Sequence, residues 1–250
     1  MDLTVVILTR NESANLSECL KTIRSGVSVL VVDSQSSDQT VQLAKNSGAQ
    51  VLETTQWLGF GHQRNLALSH VQTRWVLFLD ADERIQSQAW DEISIALANP
   101  QPMAYSFPRL TNFAGTWVKH CGWYPDRVTR LFQVGQAKYS DDLVHERVVL
   151  SATTQLRPLN TPLLHYSYPD SMHYWKKMQA YSLAWAEQKH AQGKKSNVLR
   201  ALMSSLVAFV RSYFFRLGFL DGSIGLAVCV MQAQVTYSKY FMLYWMNKSK

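Results

Sequence analysis

Over its first hundred residues the chain alternates short β-branched runs with short amphipathic stretches, and this alternation restricts the fold more than any other feature. Leu3 to Leu8, Val29 to Val32, Val51-Leu52 and Trp75 to Leu79 read as buried strands. Helical patterns lie between them. Asn15 offers an N-cap with Glu18 three residues on, and Leu16, Cys19, Leu20 and Ile23 share one face. Asp38 caps the next helix, with Val41 and Ala44 inward and Gly48 as its stop. Gly61 to Ser69 reads as a third helix. A fourth, capped by Ser87, turns Trp90, Ile93 and Leu97 inward and ends before Pro100. Strands alternating with helices in this way make βαβ units and therefore an α/β fold on a mainly parallel sheet.

After Pro102 the pattern changes. Tyr105 to Phe113, Val128 to Phe132 and Leu143 to Leu150 read as strands separated by loops, and everything from Ser171 onward reads as helical. Tyr174, Met178, Tyr181 and Trp185 form an apolar stripe. Gly193-Lys194-Lys195 breaks it, and two long apolar helices follow, divided near Gly218 to Gly222. We therefore divide the chain at residue 170, into a domain 1–170 and a helical appendage 171–250.

Charge follows the same division. Residues 1–150 carry 13 Lys/Arg against 15 Asp/Glu, and residues 151–250 carry 12 against 3. Overall, 47% hydrophobic and 17% charged residues exclude wholesale disorder. The three cysteines, Cys19, Cys121 and Cys229, are scattered without metal-ligand spacing, which favours a reducing compartment. The N-terminus has no basic leader, and no uninterrupted apolar run reaches the ~18–20 residues of a spanning helix. A cytoplasmic protein is expected.

The chemistry concentrates at three strand ends, which carry Thr9-Arg10-Asn11-Glu12, Asp33-Ser34-Gln35-Ser36-Ser37-Asp38 and Asp80-Ala81-Asp82-Glu83. Ligands of open α/β sheets bind at this edge. Paired carboxylates there suit a hard divalent cation that also grips phosphate oxygens. Gly59-Phe60-Gly61-His62-Gln63-Arg64-Asn65 adds a flexible turn, helix-terminal N–H groups and a cation, all suited to an anion. Neither Gly-x-Gly-x-x-Gly nor Gly-x-x-x-x-Gly-Lys-Ser/Thr occurs, which disfavours dinucleotide and P-loop chemistry.

Taken together, Thr9-Arg10-Asn11-Glu12, Val32-Asp33-Ser34-x-Ser36-x-Asp38-x-Thr40, the Gly61-to-Asn65 turn and the Asp80/Asp82 pair resemble glycosyltransferase family 2 in order and spacing. Trp57-x-Gly59-Phe60-Gly61-x-Gln63-Arg64-Asn65-x-Ala67-Leu68, and Trp123-Tyr124-Pro125-Asp126 followed by Arg130-Leu131-Phe132, are similar to the branch that adds β-1,4-linked glucose to heptose of the lipopolysaccharide inner core. The resemblance implies the GT-A (Rossmann-like) fold, with a mainly parallel central sheet, helices on both faces and a C-terminal helical appendage. It implies inverting transfer of a hexose, glucose from UDP-glucose above all, to a lipid-anchored core acceptor, with Mg2+ or Mn2+ as cofactor. By the same resemblance Thr9, Asn11, Glu12, Asp33, Ser34, Arg64, Asn65, Asp80 and Ala81 bind the nucleotide sugar. Asp80, Asp82 and His165 are the candidate metal ligands. Glu146 is the candidate base, with Asp126 as its rival.

Transfer to polyprenyl phosphate or another surface polysaccharide, and a non-catalytic membrane-associated scaffold, are the alternatives. The basic, aromatic tail from Val198 to Met246 matches helices lying in an anionic membrane interface, on the cytoplasmic face of the inner membrane, or else an oligomer contact. Its aromatics fall at helical-core spacing and its cations form no dense stripe, so no nucleic-acid partner is expected.

Overall fold

The computed structural model describes residues 1–101, 103–140 and 147–248. The chain divides into two compact units. One holds Met1–Arg109 and Arg127–His165, the other Leu110–Asp126 and Tyr166–Lys250. Sequence patterning places a single boundary at residue 170. Leu110–Asp126 instead joins the C-terminal helices, because Phe113, Val118 and Cys121 bury their side chains with Tyr174, Val228 and Cys229.

In chain order the elements are β1 (Leu3–Thr9), α1 (Ser13–Leu20), β2 (Ser28–Asp33), α2 (Thr40–Asn46), β3 (Gln50–Glu53), α3 (Phe60–His70), β4 (Trp75–Asp80), the two-residue β5 (Glu83–Arg84) and α4 (Ser87–Leu97). They continue with β6 (Met103–Phe113), β7 (Thr116–Val118), β8 (Asp126–Gln133), β9 (Ala137–Tyr139), β10 (Val148–Leu150), β11 (Gln155–Pro158) and β12 (Leu163–Tyr168). Helices α5 (Ser171–Ala191), α6 (Val198–Val210) and α7 (Gly222–Lys248) follow, with a π-helical turn at Arg211–Phe215 and a 3-10 turn at Gly218–Asp221 between the last two.

The sheet runs β3-β2-β1-β4-β8-β6-β12-β5. Its first four strands are parallel, and β8 pairs antiparallel to β4. The mainly parallel sheet expected from the alternation is therefore present, and β8 makes it mixed. Leu3, Val5, Ile7, Val31, Leu77 and Leu79 pack on one face against Leu16 and Cys19 of α1, Ala44 of α2, and Trp90 and Ile93 of α4. Val6, Leu30, Val32, Val76 and Phe78 pack on the other against Ala67 of α3, Phe132 and Tyr139. Burial on both faces is why these strands read as continuous apolar runs rather than alternating ones.

Helix starts differ from the sequence expectation. Helix α1 begins at Ser13 with Glu12 at its cap position, so Asn15 lies within the first turn and donates to the Glu12 carboxylate at 3.0 Å. Gln39, not Asp38, occupies the cap of α2, and Gln86 rather than Ser87 that of α4. None of Glu12, Gln39 and Gln86 makes a side-chain cap bond; Asp38, one position further out, accepts the Thr40 N–H at 3.0 Å instead. Gly48 does follow the C-cap of α2, at φ +81°.

The second unit departs from the sequence expectation more sharply. Val198–Phe215 (18 residues) and Gly218–Lys248 (31 residues) are long and apolar enough, by length and composition, to cross a membrane. An uninterrupted apolar run is still absent, but the helix continues through Arg211 by way of the π turn, so an arginine does not end it.

Candidate active site

Parallel register brings three strand ends side by side. Thr9 of β1 pairs with Asp33 of β2, and Leu8 pairs with Asp80 of β4. Asp33 is 1% exposed. Its carboxylate accepts from the Thr9 hydroxyl at 2.8 Å, the Ser36 N–H at 2.8 Å and the Ser36 hydroxyl. The loops after β1 and β2 clasp each other beyond it. Asn11 N–H donates to Ser36 Oγ at 2.7 Å, Ser37 N–H donates to Asn11 Oδ1 at 2.8 Å, and Glu12 N–H donates to Thr40 Oγ1 at 2.8 Å. Asp38 accepts from the Thr40 hydroxyl and from the N–H groups of Ser13 and Thr40, bonds that hold its carboxyl below the usual carboxylate range. Ser34 is buried, its N–H donating to the Thr9 carbonyl at 2.9 Å. Burial pushes the half-buried Glu12 carboxyl up, against the lowering bond from Asn15; Asp82, Asp38 and Asp80 add to the rise.

Asp80 lies in a cage of arginines. Arg64, on the buried face of α3, donates to Oδ1 at 3.0 Å, and Arg130 of β8 donates to Oδ2. Arg130 also meets Glu83 Oε1 at 2.9 Å, and Arg109 approaches the same oxygen at 3.5 Å. Glu83 is fully buried, and its other oxygen accepts the Asp80 N–H at 3.0 Å. Burial alone would push the Asp80 carboxyl up; the guanidiniums of Arg130 and Arg64 outweigh it and hold the group far below the usual range. The Arg64 guanidinium lies 5.1 Å from the Tyr139 ring centre and 5.8 Å from that of Phe60. Asn65, one residue on, clips β9: it donates to the Tyr139 carbonyl at 2.9 Å and accepts the Tyr139 N–H at 2.8 Å.

Asp82, two residues after Asp80, is partly exposed. Its Oδ2 lies 3.3 Å from Nε2 of His165, a residue that β12 places opposite Glu83 of β5. The turn is braced by Arg84, which donates to the carbonyls of Ala81, Glu83 and Asn15, so the buried Ala81 serves through its backbone. Two donors of one octahedral ion at about 2.0–2.1 Å sit roughly 3 Å apart, so the Asp82–His165 pair fits a divalent cation. Asp80 fits less well, because both of its oxygens already face guanidinium groups. Among the described residues no three His, Cys, Asp or Glu side chains converge on a metal position. Such an ion would need its remaining ligands from a bound diphosphate and water, the usual arrangement for Mg2+.

Thr9, Asn11, Glu12, Asp33, Ser34, Arg64, Asn65, Asp80, Ala81, Asp82 and His165 all lie in the first unit. Asp126 is an exposed residue of the second unit, at the start of β8. Glu146 lies outside the described residues. Sequence reasoning missed Arg130, Glu83 and Arg109 as members of the site. Contacts 26 to 50 positions apart leave no local pattern. The available signal was Glu83 immediately after the acidic pair, beside a strand with no room for an unpaired charge.

The model for "Glycosyl transferase family 2" matches residues 4–188. An uncharacterized glycosyltransferase of Rickettsia prowazekii is 29% identical over 234 residues, 89% of this chain and 80% of that protein. The lipopolysaccharide core biosynthesis glycosyltransferase LpsC of Rhizobium meliloti is 23% identical over 258 residues, 96% of this chain and 93% of that protein. Among solved structures, a mannosyltransferase of Pyrobaculum calidifontis in complex with GDP-Man and Mn2+ superposes with a TM-score of 0.55 at 16% identity, covering 98% of this chain and 87% of that one.

Proposed function

The chain belongs to glycosyl transferase family 2 and has the GT-A fold, and we propose that it moves glucose from UDP-glucose, with inversion, onto a heptose of a lipopolysaccharide inner core. The observation that carries the reading is the row of Thr9, Asp33 and Asp80 at three adjacent strand ends, with Asp82 and His165 beside it. LpsC, a lipopolysaccharide core enzyme matched along nearly its whole length, supports the acceptor class.

Each residue has a physical task in this scheme. Asp33, held by Thr9 and Ser36, presents a fixed carboxylate edge to the nucleoside, with Asn11, Glu12 and Ser34 forming the surrounding wall. Arg64 gives the diphosphate a cation whose own position is set by Asp80 and the Tyr139 ring. Asp82 and His165 would hold Mg2+ or Mn2+. When bound, that ion supplies charge neutralisation at the leaving diphosphate. Glu146 takes the proton from the acceptor hydroxyl on the face opposite the leaving group, with Asp126 as the rival base. Helices α6 and α7 hold the enzyme at the membrane that anchors its acceptor, on the cytoplasmic face.

The test is incubation of the protein with a panel of nucleotide sugars and truncated, rough lipopolysaccharide, followed by mass measurement of the product. A single added hexose, dependent on UDP-glucose and lost on chelation of divalent cations, is the expected outcome. Transfer only to polyprenyl phosphate, or none from any donor, would refute the acceptor or the activity respectively. Glu146→Gln is expected to retain UDP-sugar binding and lose turnover, and near-normal turnover would pass the role to Asp126.

A further inference from the structure

The second unit contains a cavity of about 580 Å3 walled by α6, the π turn and α7. That volume is in the range of small-molecule sites, and its lining is divided by chemistry. The polar part comprises the exposed Arg211 and Arg216 with Ser204 and Gln232, and the apolar part includes Met203 and Val207. Neither arginine has an ion pair among the described residues. The unit's nearby acid, Asp221, is already committed to the backbone N–H groups of Lys119 and His120 and to the His120 ring at 2.7 Å.

Arg216, an exposed residue, is held at its backbone and stem. Its carbonyl accepts from Cys121 N–H at 3.0 Å, and its stem lies against the bare backbone of Gly122, where an added Cβ would come within 2.6 Å of Cδ. Arg211 belongs to the π-helical turn, a distortion frequently found at functional sites. Met203 and Val207, 51% and 60% exposed, continue outward into the apolar row Leu199, Leu202 and Leu206 on α6.

We propose that this cavity binds the phosphate of an anionic membrane lipid. Arg211 and Arg216 take the phosphate oxygens in the forked geometry guanidinium favours, and the acyl chains leave past Met203 and Val207 along α6. Charge complementarity identifies the occupant: residues 171–250 carry eleven Lys/Arg against only Glu187 and Asp221. The inference rests on the membrane reading for the source of the lipid, and it uses none of the sugar-nucleotide residues of the first unit.

The experiment titrates the full chain with short-chain phosphatidic acid, kept monomeric below its micelle concentration, by calorimetry. One-to-one binding is expected. Arg211→Gln/Arg216→Gln should weaken it at least about tenfold, since charge-assisted bonds are lost, and Ala208→Trp, which fills the cavity, should weaken it similarly. Lys194→Gln/Lys195→Gln, an equal charge change outside this cavity, should stay within about twofold if a built site is at work. Equal affinity in the arginine variant, no one-to-one binding, or inorganic phosphate binding as tightly as the lipid would each overturn the proposal. Sedimentation with phosphatidylglycerol vesicles reads the membrane hypothesis separately. A wild-type chain that ignores vesicles refutes membrane docking alone, whereas vesicle binding with unchanged lipid affinity in the arginine variant refutes the cavity alone.

Discussion

Arg130 holds two carboxylates at once, the partly exposed Asp80 and the fully buried Glu83. Removing it would leave the Glu83 charge in the core with the Asp80 N–H at 3.0 Å and the more distant Arg109, at 3.5 Å. Breaking a buried pair on one side typically costs about 3–5 kcal/mol. Arg130→Met should lose stability on that scale in urea denaturation, and adding Glu83→Gln should restore part of it. Full additivity of the two substitutions would show that the pair is uncoupled. Glu12 behaves oppositely to Asp80. An acid whose carboxyl is raised by burial binds its proton more tightly folded than unfolded, so it destabilises above its folded pKa and the penalty fades as pH falls through that window. Glu12→Gln should therefore raise the melting temperature at pH 7 relative to wild type, with the gain shrinking toward pH 4. A gain independent of pH would place its origin elsewhere. Asp80, held low, keeps its stabilising ion pairs through mild acid and loses them only as pH drops through its depressed value.

At the scale of elements, the motif residues are largely partners of one another. Asn11 and Glu12 bond to Ser36, Ser37 and Thr40, so two loops from different βα units form a single brace under the site. Sequence spacing made the strand ends legible because apolar runs of four to six residues, each followed at once by polar ones, fit buried parallel strands and little else in an α/β fold. It could not say which polar side chains face a ligand and which face a neighbouring loop. Asn65 is the clearest case: the resemblance assigns it to the nucleotide sugar, yet both ends of its amide are occupied by the Tyr139 backbone. Asn65→Ala should cost about 1–3 kcal/mol by leaving those groups without their partner, with UDP affinity of the folded protein unchanged. A weakened UDP affinity at unchanged stability would return Asn65 to the binding role. The short strands β5, β7, β9, β11 and β12 were illegible for a different reason. Most are two to four residues long, too short for period-two alternation to register.

For the whole molecule, the proposed membrane seat rests on the exposed side of α6. Leu199, Leu202, Met203, Leu206 and Val207 are each at least half exposed and recur at helical spacing, a contiguous apolar row rather than scattered residues. Lys194, Lys195 and Arg200 flank its start, and Arg211 and Arg216 its end. An in-plane helix with cations at both ends gains from apolar burial in the headgroup region and from attraction to anionic lipid, about 1 kcal/mol per basic residue near the surface. Leu202→Glu/Leu206→Glu would forfeit the apolar part and add charge repulsion. Neither leucine packs in a core, so the melting temperature should shift little, since exposed substitutions usually stay within about 0.5 kcal/mol. Cosedimentation with phosphatidylglycerol vesicles should fall to background, while sugar transfer to a detergent-dispersed acceptor should persist. Were vesicle binding to survive the two glutamates, or stability to collapse with them, the row would be a packing surface for another protein chain and not a seat on the bilayer.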